Sequence, residues 1–220
     1  MSGLLIANTF LDAFYIVMFW FKSRFIEMFG DPIINPRGWK ISSLSSVTTK
    51  IGSGATPTGG KSAYCGTEIA LVRSMNVHDA LFDYDELAHI TGEQADALSN
   101  VVLQEGDVLL NITGASVARC CVLPLDVLPG RVNQHVCIIR PNGDVLDSTF
   151  LNHLLISGPV KTHLLTISKS NGATREAITK EMVKNLSIIL PPIDMQKAFA
   201  DFVKQVDKSK VIYKRCRCIV

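Results

Sequence analysis

Charge is scarce in this sequence. Asp, Glu, Lys and Arg make up 19% of the 220 residues and hydrophobic side chains 47%, a balance that excludes disordered, collagen-like and low-complexity chains. Metal-ligand patterns are equally thin. The 6 cysteines, Cys65, Cys120, Cys121, Cys137, Cys216 and Cys218, are scattered through a chain too long to need disulfide staples and form no pair of Cys-x-x-Cys motifs. They read as reduced thiols in a cytosolic protein. Cys216 and Cys218 together supply two ligands with no His nearby, which is too few for a site. His78, His89, His135, His153 and His163 lack a helical metal spacing with a carboxylate, and no Gly-x-Ser-x-Gly elbow marks a hydrolase. Asn35-Pro36 opens like an amino-methyltransferase tetrad, but Arg37-Gly38 stand where a second Pro and an aromatic ring are needed to grip a flipped base.

One motif does tempt. Residues Ala55 to Ser62, with Gly60 and Lys61 near the end, satisfy a relaxed phosphate-loop pattern with Ala in the first Gly position. A working phosphate loop runs from a buried strand into a helix whose N-terminus and Lys converge on phosphate. Here Gly66 interrupts the stretch after Ser62, and Ile69 to Arg73 reads as strand. A surface loop is the simpler reading, and nucleotide hydrolysis stays an alternative only if Lys61 meets phosphate.

Two helices bracket the chain. Leu11, Phe14, Met18, Phe21, Phe25 and Met28 step by 3, 4, 3, 4 and 3, the spacing of a stripe buried against another helix. The same stretch, Leu4 to Phe21, is apolar enough to raise a membrane-associated interaction protein as an alternative. No cation precedes it, Asp12 lies within it and no small-residue cleavage site comes after it. Near the other end Met195, Phe199, Phe202, Val206, Ser209 and Tyr213 step by 4, 3, 4, 3 and 4. Gly30-Asp31-Pro32 ends the first helix and Pro191-Pro192 precedes the second. The expected division is therefore 1–30, an apolar N-terminal helix; 31–192, the main domain; and 193–220, a short C-terminal helix. Within the domain, strands are expected at Ile69 to Arg73, Asp107 to Thr113, Ala118 to Leu123, His135 to Arg140 and Leu186 to Leu190. Helices are expected at Asp147 to Ser157, Val160 to Ile167 and Thr179 to Asn185. The fold class is α+β, a mixed sheet flanked by coiled-coil-type helices.

The net charge of +2 conceals an asymmetry. Residues 1–150 carry 10 Lys and Arg against 15 Asp and Glu, and residues 151–220 carry 12 against 5, so positive potential concentrates in the last third. Polar loops set cations beside Asn, Gln, Ser, Thr and Gly: Lys61 and Ser62; Arg73 and Asn76; Asn111, Thr113, Ser116 and Arg119; Asn133 and Gln134; Lys169, Asn171, Thr174 and Arg175. Arg and Lys meet phosphate or guanine, Asn and Gln pair with adenine, and Gly admits a close backbone. These fourteen residues are the candidate DNA contacts, and the loop of Lys169 to Arg175 is the first choice among them.

Several segments carry a family resemblance: Phe21 to Asp31 and Asn35 to Trp39; Gly54-Ala-Thr-Pro-Thr58; Glu105-Gly-Asp-Val-Leu-Leu-Asn-Ile-Thr-Gly114; Arg131 to Val136; Ala173 to Ile178; and Leu186 to Pro192 leading into Met195-Gln-Lys. In this order, from about Lys22 to Lys210, the chain resembles a target recognition domain with its flanking helices, as found in the specificity (S) subunit of type I restriction-modification systems. That resemblance implies sequence-specific recognition of double-stranded DNA by a non-catalytic subunit. A full-length S subunit carries two such domains, each reading half of a split site, on helices that pair as a ruler and dock methyltransferase (M) subunits and, through them, restriction (R) subunits. It implies no cofactor on this chain, S-adenosylmethionine and ATP belonging to the partner subunits, and a cytoplasmic location. Carrying one recognition domain, the chain resembles a half-subunit: a homodimer, a partner for a second S half, or a partial product that serves as a reservoir for recombination. The helix-helix interface is expected at Phe14, Met18, Phe21, Phe25, Met28, Met195, Phe199, Phe202 and Val206.

Overall fold

The computed structural model describes residues 2–55, 64, 66–169 and 176–217, with side chains between Ile16 and Lys208. The first helix, α1, spans Ser2–Phe29. It ends where the sequence places its stop: Gly30 turns into the left-handed region at φ 77° and its N–H reaches Ile26 O at 2.8 Å. A side chain there would meet Pro36 Cγ at 2.8 Å, so the turn needs glycine twice over. Asp31 Oδ1 then accepts from the Ile33 and Ile34 N–H groups.

Among the described residues, three sheets and a hairpin come next. Strand β1 (Lys40–Ser43) pairs antiparallel with β11 (Ser187–Leu190), joining the two ends of the segment between the long helices. The largest sheet is antiparallel in the order β2, β10, β7, β8, from Thr48–Ser53, Val136–Pro141, Val108–Asn111 and Cys120–Val122. A second has β3 (Ile69–Val72) at its centre, antiparallel to β6 (Ala88–Ile90) and parallel to β9 (Gly130–Val132). This parallel pair makes the architecture mixed. Strands β4 (Val77–His78) and β5 (Leu81–Phe82) form the hairpin.

The central strands read as continuous apolar runs because both faces are covered. Val108 and Leu110 of β7 and Cys137 and Ile139 of β10 face the helical layer, whereas Leu109, Val136 and Ile138 face the three-stranded sheet. The alternation has period two, as a strand requires. Cys120, Cys121 and Cys137 are free and buried between these layers. Burial pushes the Cys121 and Cys137 thiols up to about 12 and raises Cys120 well above its ordinary range.

The helical layer holds α3 (Ser148–Leu155), α4 (Gly158–Lys169), α5 (Lys180–Asn185) and the long α6 (Ile193–Arg217), while the short α2 (Gly92–Ala97) lies beside the second sheet. The two expected stripes meet within the chain. Phe25 meets Phe199 edge-on at 5.5 Å, and Phe21 meets Phe202 at 6.2 Å. The seam is not a simple two-helix heptad contact, because α3 wedges into it: Phe150 stacks on Phe25 at 5.6 Å and His153 meets both Phe21 and Phe199 at 5.2 Å. Met18, Phe21, Phe25 and Phe199 are buried as expected, while Met28, Met195, Phe202 and Val206 are only partly covered. Phe29, Gln196 and Val203, outside the expected stripes, are also buried: Phe29 meets Phe150 of α3 at 4.9 Å, and Gln196 bonds Asp147, the residue before α3. The Phe14 side chain lies outside the described residues.

Strands at Ile69, Val108, Cys120, Val136 and Ser187 and helices at Ser148, Gly158 and Lys180 fall within or close to the expected segments. Strands β1, β2, β4, β5, β6 and β9 and helix α2 are additional. They run two to six residues, and the sequences of β1 and β2, KISS and TTKIGS, are largely polar.

Candidate nucleic-acid interface

Strands β2, β7, β3 and β9 end, and β8 and β10 begin, at one edge of the molecule. Loops from five separate parts of the chain are consequently joined there by backbone hydrogen bonds. Gly54 N donates to Asn133 O at 3.1 Å, and Asn133 N to Val72 O at 3.0 Å. Ile112 N donates to His135 O at 3.0 Å, Gly114 N to Glu176 O at 3.0 Å and Ala177 N to Ser168 O at 3.1 Å. Gly54 must be glycine: a Cβ would lie 1.8 Å from Val132 O. Ala118, at φ 65° in a region costly for alanine, is held there by its N–H on Asn111 O at 2.9 Å.

The expected contact residues divide into two groups. Asn76, Asn111 and Asn133 are buried and bond within the fold. Asn76 Nδ2 donates to Asp83 O at 2.9 Å and Asp85 O at 3.2 Å, and its Oδ1 accepts from Arg73 N. Asn111 Nδ2 donates to Ser74 O at 2.8 Å and Val77 O at 3.3 Å, tying the 74–77 turn to β7. Asn133 Oδ1 accepts from His135 N at 3.0 Å. Turning the Asn76 or Asn111 amide toward a base would orphan the backbone groups it satisfies, so in this structure these side chains shape the loops. Arg73 is committed similarly: its guanidinium donates to Glu86 O and lies 5.5 Å over the Tyr64 ring.

Thr113, Ser116, Arg119, Gln134 and Lys169 form the second group, all at least partly exposed. Thr113 Oγ1 pairs with His135 Nδ1 at 2.6 Å, and the Gln134 amide with His135 Nε2 at 3.1 Å. Arg119 Nη1 reaches His78 Nδ1 at 3.4 Å, and Lys169 lies 3.7 Å from Glu176. His135 and His78 are therefore members of the edge that sequence reasoning did not select; the signal available was His135 standing next to Gln134 at the start of an expected strand. Lys61 and Ser62, and with them the phosphate-loop motif, lie outside the described residues, as do Asn171, Thr174 and Arg175. Asn35, the opening residue of the apparent methyltransferase tetrad, is a turn anchor: its side chain donates to Trp39 O and accepts from Trp39 N, both at 2.8 Å. Among the described residues no group of three His, Cys, Asp or Glu is placed to hold a metal, and no helix is long and apolar enough to cross a membrane.

A scaffold of a helical layer and two stacked sheets gathers polar loops at one edge, with two long helices paired in the helical layer, and so defines a loop-presenting domain. The chain belongs to the type I restriction modification DNA specificity domain family, whose model matches residues 36–215. Solved chains that share the fold include the following three. One, from work on complex assembly and conformational transition of the type I R-M system, is 21% identical with a TM-score of 0.64, over 97% of this chain and 50% of that one. The HsdS subunit from Thermoanaerobacter tengcongensis is 20% identical with a TM-score of 0.59, over 98% and 49%. The type I restriction-modification S subunit from M. genitalium is 8% identical with a TM-score of 0.61, over 97% and 54%. This chain spans about half the length of the solved chains it matches.

Proposed function

We propose that this chain reads one half of a split DNA target for a type I restriction-modification complex, directing partner methyltransferase and restriction subunits to it without catalysing either reaction. The observation that carries the reading is the joining of five polar loops into one hydrogen-bonded edge, since a duplex reader needs base-contacting and phosphate-contacting side chains on one surface. The contacts are Thr113, Ser116, Arg119, Gln134 and Lys169, together with Lys61, Ser62, Asn171, Thr174 and Arg175. S-adenosylmethionine and ATP act on the partner subunits. The second half-site is read by another copy of this chain or by a second S half, in the cytoplasm.

Binding-site selection from random duplexes, with and without an M-type partner, tests this. A defined half-site should emerge, and its affinity should fall steeply with salt as cations displace counterions. If Arg119 reaches a base edge, Arg119→Ala costs about 1–3 kcal/mol and relaxes preference at one position; a phosphate contact instead weakens all sequences alike and flattens the salt slope. Recovery of random sequence by wild-type protein in both conditions overturns the reading.

A further inference from the structure

Both long helices are tied to the domain by side chains that contribute nothing to the loop edge. Gln196, fully buried in the first turn of α6, has every polar group engaged. Its Oε1 accepts from Asp147 N at 2.9 Å, and its Nε2 donates to Val145 O at 3.0 Å and Pro191 O at 2.7 Å. Asp147 in turn caps α3, accepting from Phe150 N at 2.9 Å. At the end of α1, carbonyls that a helix terminus leaves without partners are taken by the turn beyond it. Trp39 Nε1 donates to Phe29 O at 2.9 Å and Arg37 Nη2 to Glu27 O at 2.6 Å. The ladder from Lys40↔Leu190 to Ser43↔Ser187 then fixes the two anchor points relative to each other.

Hydrogen bonds are directional where apolar packing is not, so the aromatic seam supplies adhesion and these clamps supply angle. The lever is long. A helix of 25 residues extends about 37 Å, and a tilt of ~10° at its base moves the far end ~6 Å, close to two base steps of ~3.4 Å.

We propose that Gln196, supported by Trp39, is a positioning residue that sets the direction in which the helix pair leaves the domain, and through it the spacing between half-sites. The loops set the half-site sequence. The spacing claim rests on the DNA-reading function proposed above; the direction claim does not. The test uses the full chain with Gln196→Met, which keeps the side chain's length and removes its amide, and Trp39→Phe, which removes one N–H donor. Paired spin labels on non-native amino acids at exposed Lys204 and Thr162 report helix direction. Site selection with an M-type partner reports sequence and spacing separately. The expected result is a distance distribution broadened in both variants, an unchanged half-site, and a preference for one spacer that falls roughly five- to tenfold in Trp39→Phe, which loses one hydrogen bond, and further in Gln196→Met, which loses three. An unchanged distance distribution in the folded variants overturns the direction claim, as does a broadening confined to a variant that has lost its thermal transition. Intact spacing beside a broadened distribution, or a changed half-site, overturns the link to DNA. Absence of any selected site in wild-type protein counts against the DNA reading alone, with the label distances still deciding the clamp.

Discussion

Asp107→Asn and Arg140→Met together probe the scaffold without touching the loop edge. Asp107 precedes β7 and Arg140 lies near the end of β10, so the pair is at the opposite end of these strands from the loops. The carboxylate is 0% exposed and the guanidinium 17%. Arg140 grips it with two prongs, Nε to Oδ1 at 2.7 Å and Nη2 to Oδ2 at 2.9 Å, while Gln104 N donates to Oδ2 at 2.8 Å and Arg140 Nη2 also reaches Val102 O at 2.9 Å. Breaking a buried pair from one side costs about 3–5 kcal/mol, because the partner left behind stays dehydrated and uncompensated. Arg140 retains some water, so Asp107→Asn belongs near the lower figure. Arg140→Met strands the fully dry carboxylate and belongs near the upper. For a domain with a total stability of about 5–15 kcal/mol, either loss is large. Replacing both partners, by Asp107→Asn with Arg140→Met, removes the charges together and should cost less than the two single changes combined, a coupling of several kcal/mol. Urea unfolding monitored by Trp fluorescence, extrapolated linearly to water, supplies the four free energies. Single-variant losses below about 1 kcal/mol, or a double variant whose loss is the sum of two, would refute the reasoning, since a pair that behaves so is effectively solvated.

Two further outcomes rest on the packing. Phe199→Ala empties a fully buried site bounded by Phe25, Phe29 and His153 and should cost about 3–5 kcal/mol, whereas partly covered Phe202→Ala should cost ~1–2 kcal/mol; equal losses in urea unfolding would restore a plain two-helix seam. Burial raises the Asp147 carboxyl above its ordinary 3.8, so the folded state holds the proton more tightly than the unfolded chain, and stability declines as pH rises from 3.8 through the raised value. Asp147→Asn keeps an equally good helix cap and removes that decline; its advantage over wild type should be greatest at neutral pH and vanish below about 3.8, and a gap that widens on acidification would reverse the assignment.

The buried strands were legible because a run such as Val108 to Asn111 has to be apolar on both sides when helices cover one face and a sheet the other. Strands β1, β2 and β9 were not, since short polar segments become strands only through partners far along the chain, as Lys40 does with Leu190. That Asn76, Asn111 and Asn133 bond backbone inside the fold was not legible for a related reason. The residue types that suit an adenine edge also suit an unpaired carbonyl, and composition does not distinguish the two uses.

The sequence by itself determined the α+β class, the stop of α1 at Gly30, the aromatic faces of two long helices and the family's motifs in order, because each depends on local periodicity, backbone permissiveness or linear pattern. Tertiary structure alone decided that five loops form one edge, which of their amides bond inside it, and that α3 wedges into the helix seam against Phe25 and Phe29. Those outcomes depend on which groups satisfy one another across long separations. A buried amide takes its partner from whatever backbone the fold brings within hydrogen-bonding distance, as Asn111 does with Ser74 and Gln196 with Val145.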